Sequence, residues 1–310
     1  MKSDSEVPVA LFVFNRSEQL IKTLEGLKKN SISQLYVFAD GPRNESDLEN
    51  INNVRALIDE IDWVKVTKIY QKENKGLSES IRAGLNHIFK THDRVIVVED
   101  DIYVNSSFYK YMKAGLEHFA NNPEVACITG FRYPFDRGSL KQYPYDAFFT
   151  QRFCSWGWAT WKRYWQTVEF DREKLKKNFA SKDLSQFTKA GEDMPIMIEQ
   201  IISGVVYGGW DINCAATILL NNQFVLWPVY NMVQNTGLTS GTHGGQAPSW
   251  KSRWEKPRQK GDFLFPTEIK TEAEILSPFL AFFHSLMNPT SGLLTKFKKT
   301  VSNLKTFKRN

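Results

Sequence analysis

The sequence predicts an α/β fold in which a mostly parallel sheet is flanked by helices. Apolar stretches of four to eight residues alternate with segments whose apolar residues recur every three or four positions. This alternation is typical of parallel strands connected by right-handed helical crossovers. One apolar stretch, at residues 95–98, runs directly into the acids Glu99, Asp100 and Asp101. Because ligands bind beyond the carboxyl ends of strands in such sheets, this stretch predicts a buried strand that ends in a site.

The first half of the chain carries the clearest alternation. Strands are expected at residues 7–14, 35–39, 64–70 and 95–98. Apolar residues at helical spacing mark a helix in each interval between these strands. The first helix is expected to be capped by Asn15, because Glu18 follows three positions later. Asp40 precedes a Gly-Pro pair, which ends the second strand in a turn.

The second half is expected to continue with fewer and less regular elements. A helix at residues 108–119, a strand at 125–129, a helix opened by residues 208–211 and a strand at 223–230 are expected, followed by a glycine-rich loop at 235–245. Such a loop can close over a substrate. It has neither the GxGxxG pattern nor the lysine of a phosphate-binding loop.

The acidic triplet after residue 98 indicates a cation. Adjacent carboxylates repel one another unless a positive charge neutralises them. Aspartate oxygens suit a hard ion such as Mg²⁺ or Mn²⁺, which also binds phosphate. The pattern therefore favours a nucleotide-diphosphate site at residues 99–101, and a solvated acidic turn is the structural alternative.

Aromatic side chains become dense from about Gly130. Three tryptophans, Trp156, Trp158 and Trp161, lie within residues 153–161. Aromatic rings bind the apolar faces of sugars, although large aromatic residues are more often part of a core. At least one ring that lines a pocket is expected here. Trp156, Trp158 and Trp210 are the candidates for contact with an acceptor.

Composition limits the cellular setting. With 42% apolar residues the chain can form a core, and no apolar run is long enough to span a bilayer. The polar start at residues 1–7 indicates no signal peptide. Three cysteines, Cys127, Cys154 and Cys214, match no zinc spacing, so buried thiols in a reducing cytoplasm are expected.

The net charge of +6 belongs to the C-terminal tail. Of 40 basic residues, six follow Glu274, and the rest only balance the 34 acidic residues. No nucleic-acid partner is therefore expected. Apolar residues of the tail recur on one helical face, at Leu293, Phe297, Val301, Leu304 and Phe307. A basic amphipathic helix on the anionic inner membrane surface is expected, with a solvated or domain-packed helix as the alternative.

The chain resembles GT-A-fold glycosyltransferases, and it is similar to the bacterial family 2 enzymes and the animal N-acetylglucosaminyltransferase I group. Four pieces match in the family's order, namely residues 8–16, Ala39-Asp40-Gly41, Asn74-Lys75-Gly76 and residues 97–101 in place of the DXD motif. The likeness is strongest over residues 7–130, weaker to about residue 245 and absent beyond.

This resemblance implies transfer of a sugar from a nucleotide-diphosphate sugar to a carbohydrate or lipid-linked glycan. A UDP-sugar is the leading candidate donor. The resemblance implies a divalent metal, Mn²⁺ or Mg²⁺, inversion at the anomeric carbon, and a role in surface polysaccharide or glycoconjugate synthesis. It also implies a nucleotide-sugar-binding half at 1–130 and an acceptor-binding and catalytic half of the same domain at 131–265. The helical basic tail expected from the sequence pattern is the third region, at 266–310.

Residue by residue, the resemblance implies a nucleotide-sugar site formed by Phe14, Asn15, Arg16, Asp40, Asn74, Gly76, Glu99 and Asp100. Asp40 would accept a hydrogen bond from the base, and Gly76 would let the backbone approach the nucleotide. Asp40 and Asn74 also fit a simple turn residue and a helix cap. Asp101 would bind the metal. Glu99 stands where the motif has its first Asp, so the division of contacts among the three acids stays open.

Two further roles follow from the same resemblance. His243 in the glycine-rich loop would be a second metal ligand or a phosphate contact, although a lone loop histidine is more often neither. Asp211, at the start of a helix, would be the catalytic base that takes the acceptor's proton. A cap at that position, and the helix dipole that lowers its pKa, count against this role. Glu192 and Asp193 are the rivals.

Two other function classes remain open at this stage. A sugar-phosphate nucleotidyltransferase also uses an α/β sheet with carboxylates on Mg²⁺, but residues 15–17 lack the glycine-rich loop expected after its first strand. A non-catalytic carbohydrate- or membrane-binding module is the third class.

Overall fold

The computed structural model describes residues 6–133, 135, 140, 142–205, 209–237 and 262–287. The strands within these ranges are β1 (Val9–Val13), β2 (Gln34–Ala39), β3 (Lys65–Tyr70), β4 (Arg94–Glu99), β5 (Ile102–Val104), β6 (Val125–Thr129), β7 (Ala147–Thr150), β8 (Trp158–Trp161), β9 (Phe224–Pro228) and β10 (Val233–Asn235). The helices are α1 (Ser17–Lys28), α2 (Leu48–Asp59), α3 (Leu77–Ile88), α4 (Phe108–His118), α5 (Lys162–Trp165), α6 (Arg172–Phe179), α7 (Met194–Ser203), α8 (Trp210–Leu220) and α9 (Ala273–Met287). Two short 3₁₀ helices lie at Glu45–Asp47 and Leu184–Ala190.

One mostly parallel sheet organises the described residues. Its strand order is β3-β2-β1-β4-β8-β6-β9-β7. β1 to β4 are mutually parallel, β8 is antiparallel to β4 and β6, β6 is parallel to β9, and β7 is antiparallel to β9. The predicted α/β class is confirmed. The antiparallel strands β7 and β8 were not predicted, and β8 contains part of the tryptophan-rich segment.

The centre of the sheet is buried on both faces. Residues 95–98 of β4 have no exposed surface, as the continuous apolar run predicts. The rings of Phe12 and Phe38 stack with centroids 4.9 Å apart. A Cβ on Gly84 of α3 would lie 2.6 Å from the Phe12 ring, so glycine at this position permits the helix to pack directly on β1. β1, β2 and β4 therefore form a firmly packed platform.

A small second sheet lies beyond the end of β4. β5 pairs antiparallel with β10, and Ile102 is opposite Asn235. The backbone N–H of Thr236 donates to the carbonyl oxygen of Asp101 at 2.7 Å, and its hydroxyl donates to the same oxygen at 3.1 Å. This pairing brings the start of the predicted glycine-rich loop onto the acidic triplet.

The start of α1 differs from the prediction. Arg16, not Asn15, occupies the cap position, and no side chain caps the helix. The Asn15 amide instead donates to Asp47 Oδ1 at 3.0 Å. The expected Asn15 cap is therefore wrong, because the side chain is engaged by a residue from the next βα unit.

α9 packs on the sheet domain. Phe279 and Phe283 are buried, and the Phe279 ring lies 5.4 Å from that of Trp227 in β9. The first part of the region assigned to the tail thus joins the core. The residues of the predicted amphipathic face, 293–307, lie outside the described residues. No helix in the described part of the chain has the length and apolar content needed to cross a bilayer.

Candidate functional site

The carboxyl ends of three adjacent strands meet at one edge of the sheet. Val13 at the end of β1 is opposite Ala39 at the end of β2, and Phe12 is opposite Glu99 at the end of β4. The predicted residues 14–16, 40 and 99–101 follow directly, so the structure brings them to the same edge. This is the position at which parallel α/β sheets bind ligands.

Arg16 bridges two acids of the triplet. Its Nη1 donates to Asp101 Oδ2 at 2.8 Å, and its Nη2 pairs with Asp100 Oδ1. The second oxygen of Asp100 accepts the backbone N–H of Phe14 at 3.2 Å. The hydroxyl of the buried Thr23 donates to the Asp100 carbonyl at 2.8 Å. Asp100 is thus fixed from three sides, and the solvated acidic turn that the sequence left open is not what the structure contains.

The acidic cluster holds more negative charge than Arg16 balances. Burial raises the pKa of Asp100 to about 6, even though the charge of Arg16 opposes this shift. Burial also raises the pKa of Glu99 well above its usual value, and the charges of Asp101 and Asp100 add to the effect. When all three acids are ionised, they carry more negative charge than one guanidinium balances, and a further cation would favour that ionised state.

The carboxylates of the triplet are of the chemical type that binds a hard cation, but Asp100 and Asp101 are already paired with Arg16. Carboxylate oxygens are the ligands that Mg²⁺ and Mn²⁺ prefer. Among the described residues, however, no group of three or more His, Cys, Asp or Glu side chains is placed to hold a metal ion. Asp101, the predicted ligand, has one oxygen engaged by Arg16. His243, the other predicted ligand, lies outside the described residues.

Asp40 is saturated by the chain itself. Its Oδ1 accepts the backbone N–H groups of Gly41 and Lys75, each at 2.8 Å. Its Oδ2 accepts the Asn74 amide at 2.9 Å and the backbone N–H of Gly76 at 3.0 Å. Since a carboxylate offers about four acceptor positions, none is left for the expected hydrogen bond from a base. Asp40 instead ties residues 74–76 to the end of β2.

Gly76 keeps an open space beside this loop. Its φ is +78°, and a Cβ at this position would meet nothing within 4 Å. A positive φ favours glycine, so the residue is required by backbone conformation. Gly76 rather than Asn74 precedes α3 as its cap residue. The open space is compatible with the expected backbone approach to a ligand.

Arg43 also lies at the site edge, although it belongs to none of the predicted motifs. Its guanidinium lies over the ring of Phe14 with 5.0 Å to the centroid, and its Nε and Nη2 each donate to the Asp47 carboxylate at 2.8 Å. These hydrogen bonds hold the pKa of Asp47 well below its usual range. The spacing of four residues between Arg43 and Asp47 is the signal that was available. Phe14 and Asn15, which touch this ion pair, are thereby held at the site edge.

A cavity of about 330 Å³ opens beside Asp40. It extends along α3 and is lined by Phe38, Ile69 and Lys75 together with polar residues of the helix. Most of its lining surface is apolar. Its volume is at the lower end of the range for small-molecule sites.

Asp211 lies in the first turn of α8, and its charge interacts with that of the acidic cluster. Its charge raises the pKa of Glu99, though less than burial and the neighbouring acids do. Its Oδ1 accepts the backbone N–H of Ile212 at 3.0 Å. Gly209, not Asp211, is the cap residue of the helix. The structure therefore brings the predicted base into the field of the triplet.

Two of the three predicted acceptor contacts are core residues. Trp158 has no exposed surface and Trp210 is 3% exposed. Both rings pack against that of Phe153, with centroids 5.0 and 5.9 Å away. The prediction that Trp158 and Trp210 contact an acceptor is wrong for this arrangement, because neither face is available. Trp156 is half-buried, with its ring 4.6 Å from that of Phe131, and stays a candidate.

The rival bases are engaged in ion pairs. Asp193 accepts two hydrogen bonds of 2.7 Å from the guanidinium of Arg152, whose side chain is 8% exposed. Glu192 contacts His284 of α9 at 2.7 Å. A carboxylate held by a bidentate arginine is a poor proton acceptor. The arrangement therefore favours Asp211 over this pair.

Comparison with known proteins finds no matching family model and no matching curated protein. Similar solved structures include a mannosyltransferase of Pyrobaculum calidifontis in complex with GDP-Man and Mn²⁺, at 10% identity over 70% of this chain and 74% of that chain, with a TM-score of 0.35. They also include S. aureus TarS 1-349, with a TM-score of 0.41 at 12% identity over 74% of this chain and 59% of that chain. Its complex with UDP-GlcNAc has a TM-score of 0.31 at 16% identity over 43% and 36%. TM-scores below 0.5 at such identities do not identify a family.

Proposed function

We propose that the protein is a glycosyltransferase that moves a sugar from a nucleotide-diphosphate sugar to a carbohydrate or lipid-linked glycan. A UDP-sugar is the leading candidate donor. The observation that carries this proposal is the meeting of Arg16, Asp100 and Asp101 at the carboxyl ends of β1 and β4. A buried acidic cluster beside a guanidinium and an open glycine backbone suits a diphosphate and a sugar. The sequence resemblance to GT-A enzymes supports the same function.

The described residues divide into three roles. Phe14 and Arg43 form one wall for the nucleoside, and the Asp40-held loop at residues 74–76 forms the other. Glu99 and Asp100 face the ribose or the donor sugar. Asp101 is the proposed metal ligand, since its carboxylate is the more exposed member of the Arg16-bridged pair.

A divalent ion, Mn²⁺ or Mg²⁺, is proposed as the cofactor. Asp101 would hold it. When bound, such an ion neutralises charge on the leaving diphosphate as a Lewis acid. The excess negative charge of the triplet supports this assignment. His243 remains a proposed second ligand or phosphate contact.

Asp211 is the proposed base of an inverting reaction. The acceptor hydroxyl oxygen attacks the anomeric carbon and forms the new glycosidic bond. The bond from that carbon to the diphosphate oxygen breaks, and its electron pair leaves with UDP. The acceptor proton passes to the Asp211 carboxylate.

Donor turnover distinguishes this function from its alternatives. The purified protein is incubated with UDP-sugars and Mn²⁺, and the released nucleotide is measured. Slow release of UDP without an acceptor is expected from a glycosyltransferase. Release of pyrophosphate from a nucleoside triphosphate and a sugar phosphate would indicate a nucleotidyltransferase instead. Absence of both reactions and of nucleotide-sugar binding would indicate a binding module. A thermal-shift screen with and without Mn²⁺ selects the donor.

The cellular setting is proposed from the sequence. The basic residues of the tail and the apolar face at 293–307 favour attachment to the anionic inner face of the cell membrane, in the cytoplasm. Flotation with vesicles containing anionic lipid tests this proposal. Binding should disappear on truncation at Gly292, and equal flotation of the truncated protein would contradict it.

A further inference from the structure

Arg16 occupies the position of a cation in the acidic cluster. Both terminal nitrogens of its guanidinium donate hydrogen bonds, Nη2 to Asp100 and Nη1 to Asp101. The charges of these two acids raise the pKa of Arg16 against the opposing effect of its burial, so the guanidinium stays protonated. The cluster thus contains its own counter-ion at the residue proposed to bind a metal.

The backbone of Arg16 is fixed while its side chain has a route to solvent. The carbonyl of Arg16 accepts the N–H of Leu20 at 3.0 Å, which anchors the residue at the start of α1. Its side chain is 27% exposed, whereas that of Asp100 is 2% exposed. A rotation of the arginine side chain that releases Asp101 would leave the backbone at the start of α1 in place.

The two arms of the bridge are unequal. Asp100 also accepts the Phe14 N–H, and its carboxylate lies deeper than that of Asp101, which is 13% exposed. Losing the guanidinium would leave Asp100 as a buried charge with one remaining hydrogen bond, which is costly. Asp101 is nearer to solvent, so an ion from solution reaches it first. The bridge is expected to open at Asp101.

Gly237 covers the outer side of the bridge. A Cβ at this position would lie 2.9 Å from Arg16 Nη1 and 2.9 Å from Asp101 Cβ. Thr236 holds this segment on the Asp101 carbonyl. A side chain at residue 237 would therefore collide with the bridge.

We propose that Arg16 is a built-in competitor of the divalent cation, and that it must release Asp101 when the ion binds. The proposal rests on the metal role assigned to Asp101 under the proposed function. Arg16 then sets the affinity for the ion and offsets part of the negative charge of the metal-free cluster. A ligand shifts an equilibrium only by its differential affinity, and here part of the ion's binding energy is spent in opening the bridge.

Mn²⁺ affinity of four proteins tests the proposal. Free Mn²⁺ is measured by electron paramagnetic resonance, with and without UDP, for wild type, Arg16→Gln, Arg16→Lys and Arg172→Gln. Arg16→Gln is expected to bind Mn²⁺ about tenfold more tightly than wild type, because no charge-assisted pair has to be broken. Arg16→Lys, which keeps the charge but not the two-armed bridge, is expected to fall between them. Arg172→Gln, the control at an exposed arginine of α6 that pairs with Glu173, should stay within about twofold of wild type.

Thermal unfolding gives a second readout. In EDTA, Arg16→Gln should melt below wild type, because Asp100 loses its counter-charge. Saturating Mn²⁺ should raise its Tm by more than that of wild type, because the ion replaces the missing charge. If Arg16→Gln does not fold, Arg16→Lys carries both measurements.

Three outcomes separate the possibilities. Tighter Mn²⁺ binding by the Arg16 variants alone supports the proposal. Equal binding by wild type and the Arg16 variants in the presence of UDP overturns the role of Arg16 but leaves the metal role of Asp101 intact. Absence of Mn²⁺ binding in all four proteins with UDP overturns both the role of Arg16 and the metal role of Asp101. The proposed transferase function is tested separately, because UDP release in EDTA would show sugar transfer without the ion.

Discussion

The indole ring of Trp158 stacks on that of Trp210, with ring centroids 5.7 Å apart and an angle of 28° between the planes. Trp158 belongs to β8 and is opposite Val97 of β4, two residues before Glu99. Trp210 is the first residue of α8, immediately before Asp211. The stacked pair therefore fixes the start of α8 beside the end of β4, and it positions the proposed base against the acidic cluster.

Truncation of Trp158 is expected to affect stability rather than acceptor binding. Trp158→Ala should lower the free energy of unfolding by about 3–5 kcal/mol, because it removes a large, fully buried ring. Trp156→Ala is the matched comparison, because this half-buried tryptophan lies in the same segment. Its expected effect is a raised acceptor KM with a small change in stability. Urea unfolding and acceptor titration check both variants, and a stable Trp158→Ala with a raised KM would contradict the core assignment.

Asp211→Asn should abolish transfer while donor affinity stays within a few-fold of wild type. The amide keeps the shape of the side chain but cannot take the acceptor's proton, and a base acts mainly in the transition state. Transfer is measured with the acceptor, and donor affinity by calorimetry. Near-normal turnover of the variant, or a product that retains the anomeric configuration of the donor, would show that Asp211 is not the base.

Asp193→Ala should lower the free energy of unfolding while the folded variant keeps its transferase activity. The substitution leaves the guanidinium of Arg152 buried without its partner, and breaking a buried ion pair in this way costs about 3–5 kcal/mol. At a temperature where the variant is folded, its transfer rate per folded molecule should approach that of wild type. A folded variant with no activity would restore Asp193 as a candidate base.

Asp101→Asn should lose most of the Mn²⁺-dependent part of UDP affinity. An amide oxygen is neutral and binds a hard cation more weakly than a carboxylate does. Calorimetry of UDP binding in Mn²⁺ and in EDTA measures this difference for wild type and variant. If wild type binds UDP equally in both solutions, the metal role of Asp101 is wrong.

The linear sequence determined the position of the site because the required signals were local. The apolar run at residues 95–98 predicted a buried strand, and the parallel order of β1, β2 and β4 follows from alternation with helices. The carboxyl ends of parallel strands must lie at one edge, so Arg16, Asp40 and Asp101 were placed together before any contact was known. These conclusions depend only on neighbours in the chain and on the handedness of crossovers.

Only the tertiary structure decided what each side chain does at that edge. Asp40 accepts hydrogen bonds from the Asn74 amide and from the backbone N–H groups of Lys75 and Gly76, 34 to 36 residues away. Arg152 pairs with Asp193 across 41 residues. Trp158 is buried because β8 lies between β4 and β6 in the sheet, antiparallel to both. The four residues of β8 are too few to predict this position from the sequence. Hydrogen bonds and burial depend on which distant groups arrive at the same place, and packing of the whole chain selects those groups.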